Sequence, residues 1–185
     1  MYIFPTLETE RLILREITAT DLNSLFEFLS REDVTRYYGM DALTNSSQVL
    51  DLINLFKENF QAQRGFRWGI ALKENGKLIG TCGFNVFAPK NNRTEIGYEL
   101  HPDYWRKGYV KEAISTIITY GFEKLNLNRI GAIVYPENIA SISLLTNLGF
   151  SKEGILRKYI VQGNTAHDTF VLSILKEEWQ MKEDV

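Results

Sequence analysis

The sequence predicts an α+β (mixed α/β) domain: a mixed, mostly antiparallel sheet of about seven strands flanked by about four helices. Three observations carry this. Apolar residues switch between a period of two and a period near 3.6 in the order strand, two helices, three strands, helix, strand, helix, two strands. Tight turns at Glu74-Asn75-Gly76-Lys77 and Gln162-Gly163-Asn164 join strands directly, which makes antiparallel hairpins. One strand–helix–strand crossover, built around Glu95 to Ala113, supplies the parallel component.

The elements follow in order. Leu12 to Ile17 alternates as a first strand, and Thr20-Asp21 caps a helix with Leu22, Leu25, Phe26 and Leu29 on one face. A second helix starts near Thr44 to Ser47, with Val49, Leu52, Ile53, Phe56 and Phe60 inward. Between the helices, Arg36 to Met40 is aromatic and irregular; it either covers the core or lines a cleft. Phe66 to Leu72 and Leu78 to Phe87 are the hairpin strands, and Pro89 to Arg93 turns into a central strand ended by Pro102. From Val110, apolar residues at 113, 114, 117, 118, 121, 122 and 125 mark a long helix. Arg129 to Tyr135 is a strand, and Asn138 opens a helix with Ile142, Leu145 and Leu148 inward, closed by Gly149. Ser151 to Val161 and Ala166 to Lys176 close the chain as a hairpin.

At 185 residues the chain reads as a single domain, 1–185, long enough for a real core. A net charge of −2 argues against direct nucleic acid binding through bulk electrostatics, so any anion site must be local. Cys82 is the sole cysteine, which excludes an internal disulfide and suits a reducing cytoplasm. Met1 to Pro5 carries neither a basic flank nor a long apolar run, and no other stretch reaches transmembrane length, so no membrane role is expected. His101 and His167 show no metal-ligand spacing, and no metal is expected.

The local anion site is Arg106-Lys107-Gly108-Tyr109-Val110-Lys111. A helix starting there leaves its first amides without intrahelical partners. Three basic side chains and a bare Gly108 surround them, which is the chemistry of a phosphate cradle. The same residues also read as an ordinary strand-to-helix turn with solvated charges.

Three segments in a fixed order raise the first reading. Leu7-Glu8-Thr9-Glu10-Arg11-Leu12-Ile13-Leu14-Arg15 opens the chain. Glu95-Ile96-Gly97-Tyr98 and Tyr104-Trp105-Arg106-Lys107-Gly108-Tyr109 stand in the middle. Asn138-Ile139-Ala140-Ser141 precedes Leu148-Gly149-Phe150, with Glu178-Trp179 near the end. Together they resemble the GCN5-related N-acetyltransferase superfamily, and within it the RimJ/RimL-like branch that acetylates ribosomal-protein N-termini. The resemblance implies acetyl-coenzyme A (acetyl-CoA) as cosubstrate, with its pyrophosphate on Arg106, Lys107, Gly108, Tyr109, Val110 and Lys111. It implies a pantetheine arm running between two splayed strands past Glu99 and Leu100, with Asn138 on the other side. Trp105 and Val110 depart from the family pattern, which has Gln or Arg and Gly or Ala there; altered affinity is expected. Leu145 stands where the wider family has a tyrosine that protonates the thiolate.

Acetyl transfer needs a base for the amine, an oxyanion donor and an acid for the sulfur. Resemblance places the base at Glu95 and the acid at Ser141, with a backbone N–H near Leu100 for the oxyanion. The plain alternatives are a charge partner for Arg93 and a tolerated first-turn serine behind the Asn138 cap. Cys82, mid-strand with no histidine beside it, reads as a small core residue. The expected partners are acetyl-CoA and an amine acceptor, a ribosomal-protein N-terminus in that branch. The alternatives are a polyamine or amino-sugar acceptor, or a non-catalytic CoA-binding module.

Overall fold

Eight strands form one sheet in the order β1-β2-β3-β4-β5-β6-β8-β7 in the computed structural model, which describes residues 3–183. Residues 1, 2, 184 and 185 of the expected 1–185 domain lie outside the described residues. The strands are β1 (Leu7–Glu8), β2 (Leu12–Glu16), β3 (Phe66–Leu72), β4 (Leu78–Ala88), β5 (Arg93–Leu100), β6 (Arg129–Val134), β7 (Ser151–Gln162) and β8 (Thr165–Leu175). The helices are α1 (Leu22–Leu29), α2 (Glu32–Thr35), α3 (Ser47–Gln61), α4 (Tyr109–Glu123), α5 (Ile139–Asn147) and α6 (Lys176–Glu183). Every strand contact is antiparallel except β5 with β6.

The expected mixed sheet is present, with three elements added. Strand β1 is too short for alternation to reveal it. Helix α2 is one turn. Helix α6 replaces the end of the expected last strand: Glu178 accepts the Leu175 amide at 2.9 Å, and the Trp179 indole donates to Thr119 on α4 at 3.1 Å.

Two apolar clusters hold the layers together. Leu12, Leu14, Trp68, Phe84, Ile130 and Ile174 of the sheet meet Ile114, Ile117 and Phe122 of α4 and Leu145 of α5. Leu25, Phe28 and Leu29 of α1 meet Val49 and Ile53 of α3 over Ile17 and Leu78. The inward face of α4 is the one its apolar period indicated, and α3 buries Val49, Ile53 and Phe60 of its expected stripe; on α1, Phe28 is buried with Leu25 and Leu29, while the expected Leu22 and Phe26 are only partly buried.

A buried polar group lies among β3, β4 and β5. Arg67 donates to Thr81 Oγ1 at 2.7 Å and to Gly97 O at 3.2 Å, and pairs with Glu99; the Thr81 hydroxyl donates to Glu99. Arg67 also donates to the Tyr38 hydroxyl at 3.1 Å, which ties the aromatic loop after α2 to the sheet. From the other side, the Gln162 amide donates to Thr35 O at 3.1 Å and Met40 O at 2.9 Å, while Tyr135 donates to Gln162 Oε1 at 2.9 Å. The loop is therefore held at both ends.

Because the pair is fully buried, removing one member strands the other without solvent. Arg67→Ala is expected to cost about 3–5 kcal/mol in urea unfolding, and Arg67→Met with Glu99→Leu to recover most of it. Equal losses in the single and double variants would contradict this.

Candidate active site

The sheet opens at one seam. Strands β5 and β6 pair only at Arg93–Arg129, Thr94–Ile130 and Glu95–Gly131. Beyond that, β5 continues to Leu100 paired with β4 alone, and β6 continues to Val134 paired with β8 alone. The His101 amide bonds Ile79 O on the β4 side at 2.7 Å. Strand alternation then turns the amides of Leu100, Tyr98 and Ile96 toward the gap. The Trp105 indole donates to Leu100 O at 2.7 Å, so Trp105 closes the gap's far end. A cavity of about 660 Å³ occupies the opening, walled by Glu95 to Tyr98 on one side and by Ala132 to Val134, Asn138, Ser141 and Leu145 on the other.

The phosphate-type turn sits at the start of α4. Gly108, the N-cap, has φ +84°, and Arg106 has φ +59°. Left-handed residues on either side of Lys107 curl the amides of the turn into a concave nest. The amides of Arg106 through Lys111 find no acceptor among the described residues. Arg106, Lys107 and Lys111 are exposed around them, and Val110 packs partly buried against the core. These donors fit a diphosphate.

Arg11 holds the turn from behind. Its guanidinium donates to Lys107 O at 3.0 Å and to Glu112 at 2.7 Å, and lies 4.3 Å from the Tyr109 ring centroid. A methyl on Gly108 would stand 3.3 Å from Arg11 Nη2. The Arg11 amide donates to Glu112 at 2.9 Å, and the Thr9 hydroxyl bonds the same oxygen. Burial pushes the Glu112 carboxyl up, but these bonds outweigh it and hold it below the ordinary carboxylate range. Sequence reading took Arg11 only as part of an opening phrase; its contact with α4 spans too many residues for any local pattern.

Glu95 stands where β5–β6 pairing stops, over the bare Gly131. It is half-buried, and its carboxylate has no hydrogen-bond partner among the described residues, while its backbone pairs with Asn85 and Gly131. Burial raises its carboxyl, and the charges of Arg93 and Arg129 only partly reverse that. Across the cavity, Asn138 caps α5 by accepting the Ser141 amide at 3.2 Å. The Ser141 hydroxyl lies 2.7 Å from the Tyr98 hydroxyl. Sequence reading took Tyr98 only as part of the Glu95-Ile96-Gly97-Tyr98 segment; burial pushes its phenol up to about 12, so it keeps its proton. Leu145 is fully buried one turn beyond Ser141.

Glu99 lies elsewhere. Its side chain is buried against Arg67 and Thr81, not beside Leu100 along the gap. Period-two alternation turns it to the opposite face from Tyr98. Cys82 is fully buried and its thiol is pushed up to about 12, which suits a core residue and not a nucleophile. Asp168 accepts the Lys158 amide at 2.7 Å, a structural role.

A parted sheet offers unpaired strand amides, and a nest of free amides with three basic side chains stands at one end of it. An acetyltransferase (GNAT) domain model matches residues 11–151, and the chain belongs to that family. It is 48% identical over 174 residues to the uncharacterized N-acetyltransferase YoaA of Bacillus subtilis, covering 94% of this chain and 98% of that one. It is 42% identical over 174 residues, at the same coverage, to the uncharacterized N-acetyltransferase p20 of Bacillus licheniformis. A GNAT-family acetyltransferase structure from Bacillus anthracis superposes at TM-score 0.82, with 29% identity over 94% of this chain and all of that one. Two more distant structures share the fold. The ribosomal-protein-S5-alanine acetyltransferase of Vibrio fischeri has TM-score 0.76 and 23% identity over 95% of this chain and 98% of that one. The spermidine N-acetyltransferase of Vibrio cholerae, solved with CoA and spermine, has TM-score 0.81 and 20% identity over 93% of this chain and 99% of that one. The protein is an N-acetyltransferase of the GNAT type.

Arg11→Met should loosen the turn without touching the reacting atoms. The Michaelis constant for acetyl-CoA is expected to rise about tenfold with kcat little changed, a loss of uniform binding. A fall in kcat alone would separate Arg11 from the cradle.

Proposed function

We propose that the chain works as one cytoplasmic domain over 1–185, moving acetyl from acetyl-CoA directly to a primary amine at a protein or peptide N-terminus, as ribosomal-protein acetyltransferases do. The observation that carries this is that a raised, unbonded Glu95 and a capped Ser141 line one cavity from its two opposed walls. Amides 106–111 bind the diphosphate, with Arg106, Lys107 and Lys111 adding charge. Amides of the free β5 edge, with Asn138 opposite, align the arm.

The residues then divide the chemistry. Glu95 takes a proton from the incoming ammonium, directly or through a water, leaving a neutral amine to attack the carbonyl. The amide of Leu100 stabilises the oxyanion. As the C–S bond breaks, the Ser141 hydroxyl passes its proton to the sulfur and takes up the proton shed by the attacking nitrogen, directly or through a water, so that thiol, amide and serine all end neutral. In the 2.7 Å contact between the Tyr98 and Ser141 hydroxyls either oxygen can be the donor; in this mechanism Tyr98, which stays protonated, donates to Ser141 Oγ and so leaves the serine proton free for the sulfur. The open cavity between the Tyr37–Met40 loop and the Tyr159–Ile160 segment has room for the end of a chain.

Two predictions separate base from acid. Glu95 acts as the carboxylate, and its folded pKa lies above the ordinary value of about 4.3. The kcat/KM of the protein is therefore expected to fall as pH drops through that raised value, and Glu95→Gln to lose about 10²–10⁴-fold together with this acid limb. An acid limb surviving in the variant would assign it to another group. Ser141→Ala is expected to lower kcat by about 10²-fold with CoA affinity, read by calorimetry, held within a few-fold. Tyr98→Phe should give a smaller fall that does not add to Ser141→Ala, because the phenol acts only through the serine. Undiminished turnover in Ser141→Ala would remove the serine from the mechanism.

A further inference from the structure

The acceptor half of the cavity has an unusual balance of charge and apolar surface. Met40, Leu52, Leu55, Phe56 and Val86 supply its apolar surface, alongside the polar Asn59 and Asn85 and the tyrosines Tyr37, Tyr38 and Tyr159. Leu55, Val86 and Tyr159 are 47%, 57% and 54% exposed, so apolar groups face solvent around one opening. Among the residues that line it, Glu95 is the sole carboxylate. Glu99, beneath the floor, is already matched by Arg67, and Arg64 adds a positive charge at the rim. The site thus offers compensation for one ammonium group. A second or third ammonium would meet no carboxylate and would face Arg64.

Val86 adds an independent observation. It has φ +48°, a left-handed conformation that is a genuine outlier for a β-branched residue. It sits in a bulge, where Asn85 pairs with Glu95 and Ala88 with Arg93. Bulges re-aim side chains beside sites, and strain of this kind persists where the surrounding structure forces it. Here the bulge brings a branched apolar side chain to the mouth of the cavity, immediately after Asn85, the partner of Glu95.

We infer that the acceptor is a primary amine bearing a single positive charge on an apolar or aromatic body, and that Val86 and Leu55 select that body. This rests on the acetyl-transfer reading of the same cavity. The shared chemistry occurs in arylalkylamines and in peptides with a bulky apolar first residue. A polyamine carries too many charges, and an amino sugar lacks the apolar body that Val86 and Leu55 would meet.

The test uses the full chain, saturating acetyl-CoA and thiol release. Acceptors are 2-phenylethylamine, a short peptide beginning with Phe, the same peptide beginning with Ser, spermidine and glucosamine. The kcat/KM for phenylethylamine, the Phe peptide or both is expected to exceed that of the other three by about tenfold or more, the scale of apolar-pocket discrimination. Which of the two leads identifies the source. Spermidine, glucosamine or the Ser peptide matching them overturns the inference and leaves acetyl transfer standing. Thioester binding with no release for any acceptor is a different failure, and overturns the transfer reading itself.

Val86→Gly removes the side chain and relieves the left-handed strain, so the variant folds. It and Leu55→Ser are each expected to raise the KM of the apolar acceptor about fivefold, with the KM of acetyl-CoA unchanged. Unaltered acceptor KM in both variants overturns the assignment of these side chains.

Discussion

The structure depends on a brief parallel pairing. Strands β5 and β6 hold together from Arg93 to Glu95 and then part. Past that point each strand has one paired edge and one bare edge, inside a fold whose other central edges are closed. Bare backbone within a protein is costly unless something pairs with it. A linear substrate with amide groups can do so and can complete the sheet. The remaining features follow from the parting. The helix after β5 begins at the gap's far end and aims its free amides there. The helix after β6 begins on the facing wall and brings Ser141 across from Tyr98.

The second constraint is the buried Arg67–Glu99 pair. Such a pair is weak evidence for stability, since apolar replacements of similar volume often do as well. Its geometry gives it another use. Arg67 reaches Thr81, Gly97 and Tyr38 at once, so one guanidinium joins β4, β5 and the aromatic loop. Gln162 holds both ends of that loop, at Thr35 and Met40. The acceptor wall is held by polar contacts from two directions, which suits a surface whose exposed groups are apolar and would otherwise collapse inward.

Legibility in the sequence followed the range of the interactions. The hairpins at Gly76 and Gly163, the α4 stripe and the Asn138 cap are local, and the strands β3 and β4 fell within a residue of their expected ends. The nest at Gly108 was legible because it is a feature of consecutive residues. Arg11 behind the nest, Tyr98 against Ser141 and Arg67 against Glu99 were not, since each joins residues far apart in the chain. Glu99 shows the limit most clearly. Its neighbours in sequence suggested the gap, while period-two alternation turned its side chain into the floor. The Val86 bulge was hidden for another reason: nothing in Asn85-Val86-Phe87-Ala88 departs from an ordinary strand pattern, and only the register against β5 exposes the extra residue.

The loss of a tyrosine at Leu145 and the presence of one at Tyr98 have a joint consequence. A phenol on the helix would sit on the same wall as the serine and would act independently of the opposite strand. Tyr98 instead crosses from β5 to reach Ser141 on α5, and that 2.7 Å bond ties the two walls of the gap. A phenol pushed up to about 12 does not yield its proton to the reaction. It can orient the serine hydroxyl through that bond, and only while the walls stand at hydrogen-bond distance. With Ser141 as the proposed acid, gap width and proton donation would be coupled: a chain that binds in the gap without forcing β5 from α5 would keep the serine in its contact with Tyr98. One that wedges them apart would disarm it.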